Sequence, residues 1–181
     1  MTPRVVLVGP PAAGKTTVGT AVARALRVGF RDTDADVEAS TGTPVAQLFA
    51  EQGERWFRQL ERDAVARALR EHDGVLALGG GAVTEPATRR LLVLHGRSGG
   101  AVVRLDVDVD SAVRRVGANP DRPLLAVDPG ARLRALLAER APLYAEVATA
   151  AVTTTGRAVA AVAAEVLAVL TRPAGAAEER A

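Results

Sequence analysis

Between Arg4 and Gly9 the chain runs Val5, Val6, Leu7, Val8 without a polar break. An unbroken apolar run of that length predicts a strand covered on both faces. Behind a Gly/Pro/Ala turn the spacing changes: Val18, Ala21, Val22, Ala25 and Leu26 recur at helical intervals over Thr16 to Leu26. Val28 to Phe30 predicts a second short strand running into Arg31-Asp32-Thr33-Asp34. Thr43-Pro44 has the form of an N-cap followed by a first-turn proline, and Gly53 supplies a stop, so a short helix is expected between them. Glu54 to His72 predicts a longer helix with Trp56, Leu60, Ala64, Ala68 and Leu69 available for one face. Asp73-Gly74 then turns the chain into a third strand, Val75 to Leu78, which ends in Gly79-Gly80-Gly81.

Glu85 to Leu94 suits a helix, Ala101 to Leu105 a fourth strand, and Asp110 to Val116 another helix. Between Gly117 and Gly130 the steps Asn119-Pro120, Arg122-Pro123 and Asp128-Pro129 discourage regular structure, and loops of that length are often functional lids. Ala131 to Glu146 returns to helix, interrupted by Pro142; Ala148 to Thr153 predicts a fifth strand and Ala158 to Leu170 a last helix. Residues 173–181 read as a frayed, disordered tail. Alternating strands and helices without an internal repeat predict an α/β fold in three layers, a five-stranded parallel sheet covered on both faces by helices. With 181 residues, one domain over 1–172 is the expectation.

Composition narrows the function. No apolar run approaches the roughly 18 residues needed to span a bilayer, and the start carries no export signal, so a cytoplasmic protein without a membrane partner is expected. Without cysteine there is no disulfide framework, no thiolate zinc site and no cysteine nucleophile. A net charge of only +2 coexists with a sequence pI near 9.9 because one Tyr, one Lys and no Cys leave almost nothing to titrate between neutral pH and that value. The high pI is therefore no nucleic-acid signature. Phe30, Phe49, Trp56, Phe57 and Tyr144 are too few and scattered for a base-stacking platform, so no nucleic-acid partner is expected.

Of 23 cationic residues, one is lysine, Lys15, and it stands in Gly9-Pro10-Pro11-Ala12-Ala13-Gly14-Lys15-Thr16. This matches G-x-x-x-x-G-K-[ST] between a predicted strand and a predicted helix, the context that motif requires. Such a loop turns its N–H groups around a polyphosphate while the helix behind it presents its positive end. Lys15 can bridge the β- and γ-phosphates, and the Thr16 hydroxyl is a hard ligand suited to Mg²⁺. ATP phosphates are thus expected against Ala12, Ala13, Gly14, Lys15, Thr16 and Thr17 in a P-loop fold. The rest of the chain contains no N-K-x-D guanine reader and no D-x-x-G switch after a strand, which disfavours a GTPase.

A small kinase needs a second carboxylate by the metal, an acceptor pocket and a mobile cationic cover. If strand geometry extends through them, Asp32 and Asp34 point the same way, one for the metal and one for the acceptor; alternatively they are solvated turn residues capping the next helix. Gly79-Gly80-Gly81 would let a substrate approach the backbone, or is a plain flexible turn. Arg58 has Glu54 and Glu61 at helical spacings of four and three, which fits an exposed ion-pair ladder. Arg122, in the proline-bounded loop, and Arg140 are ambiguous singly. His72 and His95, near helix ends, suit dipole partners or solvated positions.

Taken in order, six blocks resemble shikimate kinase over Val5 to about Leu170: GPPAAGKTT at 9–17, DTD at 32–34, GERWFR at 53–58, LGGGAV at 78–83, NPDRPLL at 119–125 and RAPLY at 140–144. The resemblance implies that Asp34 holds the shikimate hydroxyls and accepts the proton, with Lys15 and Arg122 completing the catalytic set. It implies further that Arg58 and Arg140 hold the substrate carboxylate, and that Gly79, Gly80 and Gly81 line the ring. Thr16 and Asp32 would arrange Mg²⁺, Arg122 would reach the phosphates from a lid at 117–130, and Arg115 and Arg157 would lie beside adenine. A substrate-binding segment falls at 32–62. Ala77 stands where the family usually has Ser or Thr, Val159 replaces a proline common near the adenine, and the segment from Leu92 to Gly100 looks a few residues longer than usual.

The expected reaction is transfer of the γ-phosphoryl group of ATP to the 3-hydroxyl of shikimate, a step toward chorismate and the aromatic amino acids, by a cytoplasmic monomer. Another small P-loop kinase, such as a gluconate kinase or a nucleoside monophosphate kinase, and a non-catalytic nucleotide-binding regulator are the competing expectations.

Overall fold

The computed structural model describes residues 2–117 and 129–171. Five strands form one wholly parallel sheet: β1 (Val5–Val8), β2 (Phe30–Asp32), β3 (Val75–Ala77), β4 (Ala101–Asp106) and β5 (Ala150–Thr153), in the order β2-β3-β1-β4-β5. Eight helices accompany them among the described residues: α1 (Lys15–Leu26), α2 (Thr33–Thr41), α3 (Val45–Gln52), α4 (Glu54–Glu71), α5 (Pro86–Arg97), α6 (Val109–Gly117), α7 (Pro129–Val147) and α8 (Val159–Thr171). A 3₁₀ turn covers Ala82–Thr84.

The apolar run that opens the chain becomes the central strand, and its pleat feeds both layers. Val5 and Leu7 pack with Val18 and Val22 of α1 and Val162 and Val166 of α8, whereas Val6 and Val8 pack with Val65 of α4, Leu92 of α5 and Tyr144 and Val147 of α7. All four residues of β1 are buried, as a strand covered on both faces must be. The loop after β1 therefore emerges at the carboxyl edge of the sheet, between β3 and β4, where ligands of α/β sheets collect. A third cluster, Val37, Leu48, Phe57 and Ala64, ties α2, α3 and α4 into a helical unit beside that edge.

The structure revises four sequence expectations. Strand β2 is Phe30–Asp32, not Val28 to Phe30, and a helix starts at Thr33. Asp32 is the N-cap of α2, its Oδ1 accepting from the Asp34 amide at 3.1 Å, so Asp32 and Asp34 do not share a strand face. On α4 the buried positions are Phe57, Arg58, Glu61, Ala64, Val65 and Ala68, whereas Trp56 is 38% exposed. That face follows the helical period, but two of its members are charged, so a search for apolar residues alone settles on the wrong aromatic. Finally, α7 is a continuous helix that holds Pro142 rather than breaking at it. The expected lid lies almost entirely at 118–128 and the expected tail at 173–181, outside the described residues.

Candidate active site

The phosphate loop is shaped by backbone conformations that few residues tolerate. Gly9 has φ 145°, and a Cβ there would stand 2.5 Å from the Leu105 carbonyl oxygen of β4, so only glycine fits. Gly14, the residue before α1, has φ 87°, and Ala12 adopts φ 63°, a left-handed conformation uncommon outside glycine. Lys15 Nζ donates to the carbonyls of Gly9 at 2.7 Å and Pro10 at 2.9 Å, which holds the ammonium across the mouth of the loop. Ala12 to Thr17 wrap the positive end of α1.

Beside this loop, Thr16 Oγ1 donates to Asp32 Oδ2 at 2.9 Å. Two hard oxygens thus stand together at the helix start. Among the described residues no group of three or more His, Cys, Asp or Glu side chains could hold a metal by itself. A protein contribution of two oxygens suits Mg²⁺, which keeps waters and takes the remainder of its shell from substrate phosphates. Ala77 pairs in register with Asp32, so the position that lacks a hydroxyl lies next to this oxygen pair.

A cavity of about 220 Å³ adjoins the far side of the loop, lined by Ala12, Thr17, Val18 and Val162 and, at its polar end, Arg115 and Arg157. Arg115 donates to the carbonyls of Ala12 at 3.0 Å and Thr154 at 3.1 Å, which fixes the guanidinium against the left-handed residue of the loop. Arg157 pairs with Glu165 and donates to the Thr153 carbonyl. Val159, 41% exposed, forms part of the apolar wall.

On the other side of the loop, Gly79, Gly80 and Gly81 bring backbone against side chains from three helices. A Cβ on Gly79 would overlap Glu61 Oε1 and Asp34 Oδ1, and a Cβ on Gly81 would overlap the Arg58 guanidinium. The glycines are needed for close approach, which a plain turn would not require. Arg58 and Glu61 are 8% and 1% exposed, so the expected exposed ladder is buried at these two and exposed only at Glu54. Arg58 Nη1 meets Glu61 Oε2 at 2.5 Å and Nη2 meets Glu54 Oε1 at 3.0 Å, with the guanidinium 5.4 Å from the Phe49 ring centre and 5.5 Å from that of Phe57. Burial works against the Arg58 charge, but the two carboxylates outweigh it and raise its pKa. Burial pushes Glu61 up to about 7, despite the opposing pull of Arg58, with Asp34 adding to the rise.

From α7, Arg140 Nη1 and the Tyr144 hydroxyl both donate to the Gly80 carbonyl, at 3.1 Å and 2.5 Å, and burial pushes the Tyr144 phenol up to about 12. Thr33, fully buried, accepts from the Gly79 amide at 3.0 Å and so ties the start of α2 to the glycine run. The site therefore gathers Lys15, Thr16 and Asp32 at the phosphate loop and Asp34, Arg58 and Arg140 around the glycine run. Arg122 lies outside the described residues. Three participants were not singled out from the sequence: Thr33, inside the D-T-D block; Tyr144, one turn after Arg140; and Glu61, noted only as a flank of Arg58.

A family model described as shikimate kinase matches residues 11–171. A shikimate kinase of Frankia casuarinae is 60% identical over 152 residues, a match covering 84% of this chain and 65% of that protein. One from Salinispora arenicola is 55% identical over 170 residues, covering 94% and 99% of the two chains. Among solved structures, shikimate kinase from Acinetobacter baumannii in complex with shikimate superposes with a TM-score of 0.86 at 36% identity, covering 94% of this chain and 93% of that one. A gluconokinase from Sinorhizobium meliloti, 23% identical with a TM-score of 0.58, shares the fold.

Proposed function

The chain belongs to the shikimate kinase family, a family of phosphotransferases with an alcohol acceptor, and from that membership we propose how its own residues divide the work. ATP places its phosphates against Ala12, Ala13, Gly14, Lys15, Thr16 and Thr17 and its base in the cavity beside Arg115 and Arg157. Lys15 exchanges its two loop carbonyls for phosphate oxygens. Thr16 and Asp32 would hold Mg²⁺, which when bound neutralises phosphate charge.

At the acceptor side, Arg58 and Arg140 bind the carboxylate of shikimate, a task for which a planar guanidinium suits better than an ammonium. The glycine run lies under the ring, and Asp34 orients the attacking 3-hydroxyl and receives its proton. A loose phosphoryl-transfer transition state asks little of a base, so alignment by Asp34 contributes more than proton abstraction. The role of Arg122, reaching the transferring group from a lid that excludes water, belongs to the same reading.

The observation that carries the proposal is the glycine run: one stretch of backbone touches a carboxylate from α2 and a guanidinium from α4 beside the Thr16–Asp32 pair. An acceptor bearing both a carboxylate and hydroxyls fits that pairing. The reading includes a cytoplasmic monomer acting on free substrates; no described helix is long and apolar enough to cross a membrane. ADP release measured against shikimate, gluconate and nucleoside monophosphates tests the choice. Turnover with shikimate alone is expected. Turnover with gluconate alone would contradict it, as would ATP binding without turnover on any acceptor.

A further inference from the structure

The acceptor pocket contains an acid that phosphoryl transfer leaves without a task. Glu61 is 1% exposed; its Oε2 pairs with Arg58, and its Oε1 is fully buried with no hydrogen-bond partner among the described residues. A buried acceptor left alone costs about 1–3 kcal/mol, more when charged. That orphan oxygen and Asp34 Oδ1 border the same point of backbone, where a Cβ on Gly79 would stand.

The surroundings can be read element by element. Arg58 faces Glu61 from its own helix, Asp34 from α2, and Arg140 and Tyr144 from α7. Glu54 reaches Arg58 from the exposed rim. Helix α3 meets Arg58 through Phe49, while α5 and the 3₁₀ turn meet α4 through the apolar cluster of Val65, Ala68, Ala82 and Leu92. Among the described residues, two guanidiniums thus stand among three carboxylates. On the reading above, on which this inference rests, the acceptor brings a fourth carboxylate into a pocket with little water to screen it. The group that burial already holds near neutrality is Glu61, up to about 7.

We infer that Glu61 takes up one proton from solvent when the substrate carboxylate docks on Arg58 and Arg140. The proton binds Oε1, which gives the orphan oxygen a hydrogen, while Oε2 keeps its hydrogen bond with Arg58. The guanidinium charge is thereby released to the incoming anion, and no covalent bond to carbon or phosphorus changes. Glu61 is a positioning residue that adjusts the charge of Arg58 to the presence of substrate. An acceptor of the same shape without the carboxylate enters without a proton.

Isothermal titration of shikimate into the full chain at pH 8, without nucleotide or metal, in HEPES and in Tris tests this. The binding heats should differ between buffers by an amount corresponding to uptake of nearly one proton. At pH 6 the uptake should largely vanish, because Glu61 is then protonated before binding. Above pH 7 the affinity should fall by up to about tenfold per pH unit, since the bound form holds the extra proton. Glu61→Gln should bind shikimate with no proton uptake and an affinity flat in pH, and Asp34→Asn should keep the uptake. Equal heats in the two buffers at pH 8 would overturn the inference even if Glu61→Gln did not fold. An unchanged proton count in Glu61→Gln, or its loss in Asp34→Asn, would overturn it too. No binding heat at all would instead contradict the kinase reading, and the inference with it.

Discussion

Arg58 keeps its charge in a buried place because two carboxylates lie on its own helix, one turn to either side. Removing it outright would strand Glu61 and cost about 3–5 kcal/mol of stability, which would obscure any loss of binding. Arg58→Lys retains the charge but loses the fork. It should weaken shikimate binding by about 1.5–3 kcal/mol while leaving ATP affinity unchanged, a split that titration of each ligand would show. An unchanged shikimate titration would return Arg58 to a purely structural role. For Asp34→Asn, ATP binding should survive and turnover should fall steeply, because the amide aligns the attacking hydroxyl less firmly than the carboxylate and cannot take its proton; stopped-flow ADP release at saturating substrates checks this. The pairing of Arg58 with Glu54 and Glu61 was legible from spacing. Its burial was not, since that depends on Phe49 and on the glycine run, which come from other elements.

At the scale of elements, the glycine run and the start of α2 set the site together. Thr33 holds the Gly79 amide, and Gly80 carries Arg140 and Tyr144 on its carbonyl, so the end of β3, α2 and α7 are fixed to one another at two consecutive residues. Gly81→Ala would place a methyl in the Arg58 guanidinium. Shikimate affinity should drop by more than tenfold, about 1.4 kcal/mol or more, with ATP affinity unaffected. Equal loss of both affinities would indicate a general distortion instead. Strand β1, α1 and the loop between them were legible because the motif and the apolar run agree. Helix α2 was not: Thr33 to Thr41 offers only Ala35, Val37 and Ala39 as apolar positions, an alternation that gives no helical face. Its cap, Asp32, is also the last residue of β2, so one residue serves two elements and the strand pattern masks the helix start. The tyrosine that reaches Gly80 lies 64 residues away, a contact that no local pattern shows.

Over the whole molecule, the alternation of β1 side chains builds two cores and thereby centres the phosphate loop between them. In the proposed reading, the cavity on the α8 side then takes the nucleotide, and the glycine run on the side of α2, α4 and α7 takes the acceptor. This division of labour between two flanks of one loop is the central claim, and phosphorus NMR of the reaction mixture tests it most directly. With the purified chain, ATP, Mg²⁺ and shikimate, one new phosphate-monoester signal, assigned to the 3-position of shikimate, should grow in step with ADP. It should be absent when gluconate replaces shikimate. ADP formation without that ester, or an ester on gluconate alone, would contradict the account.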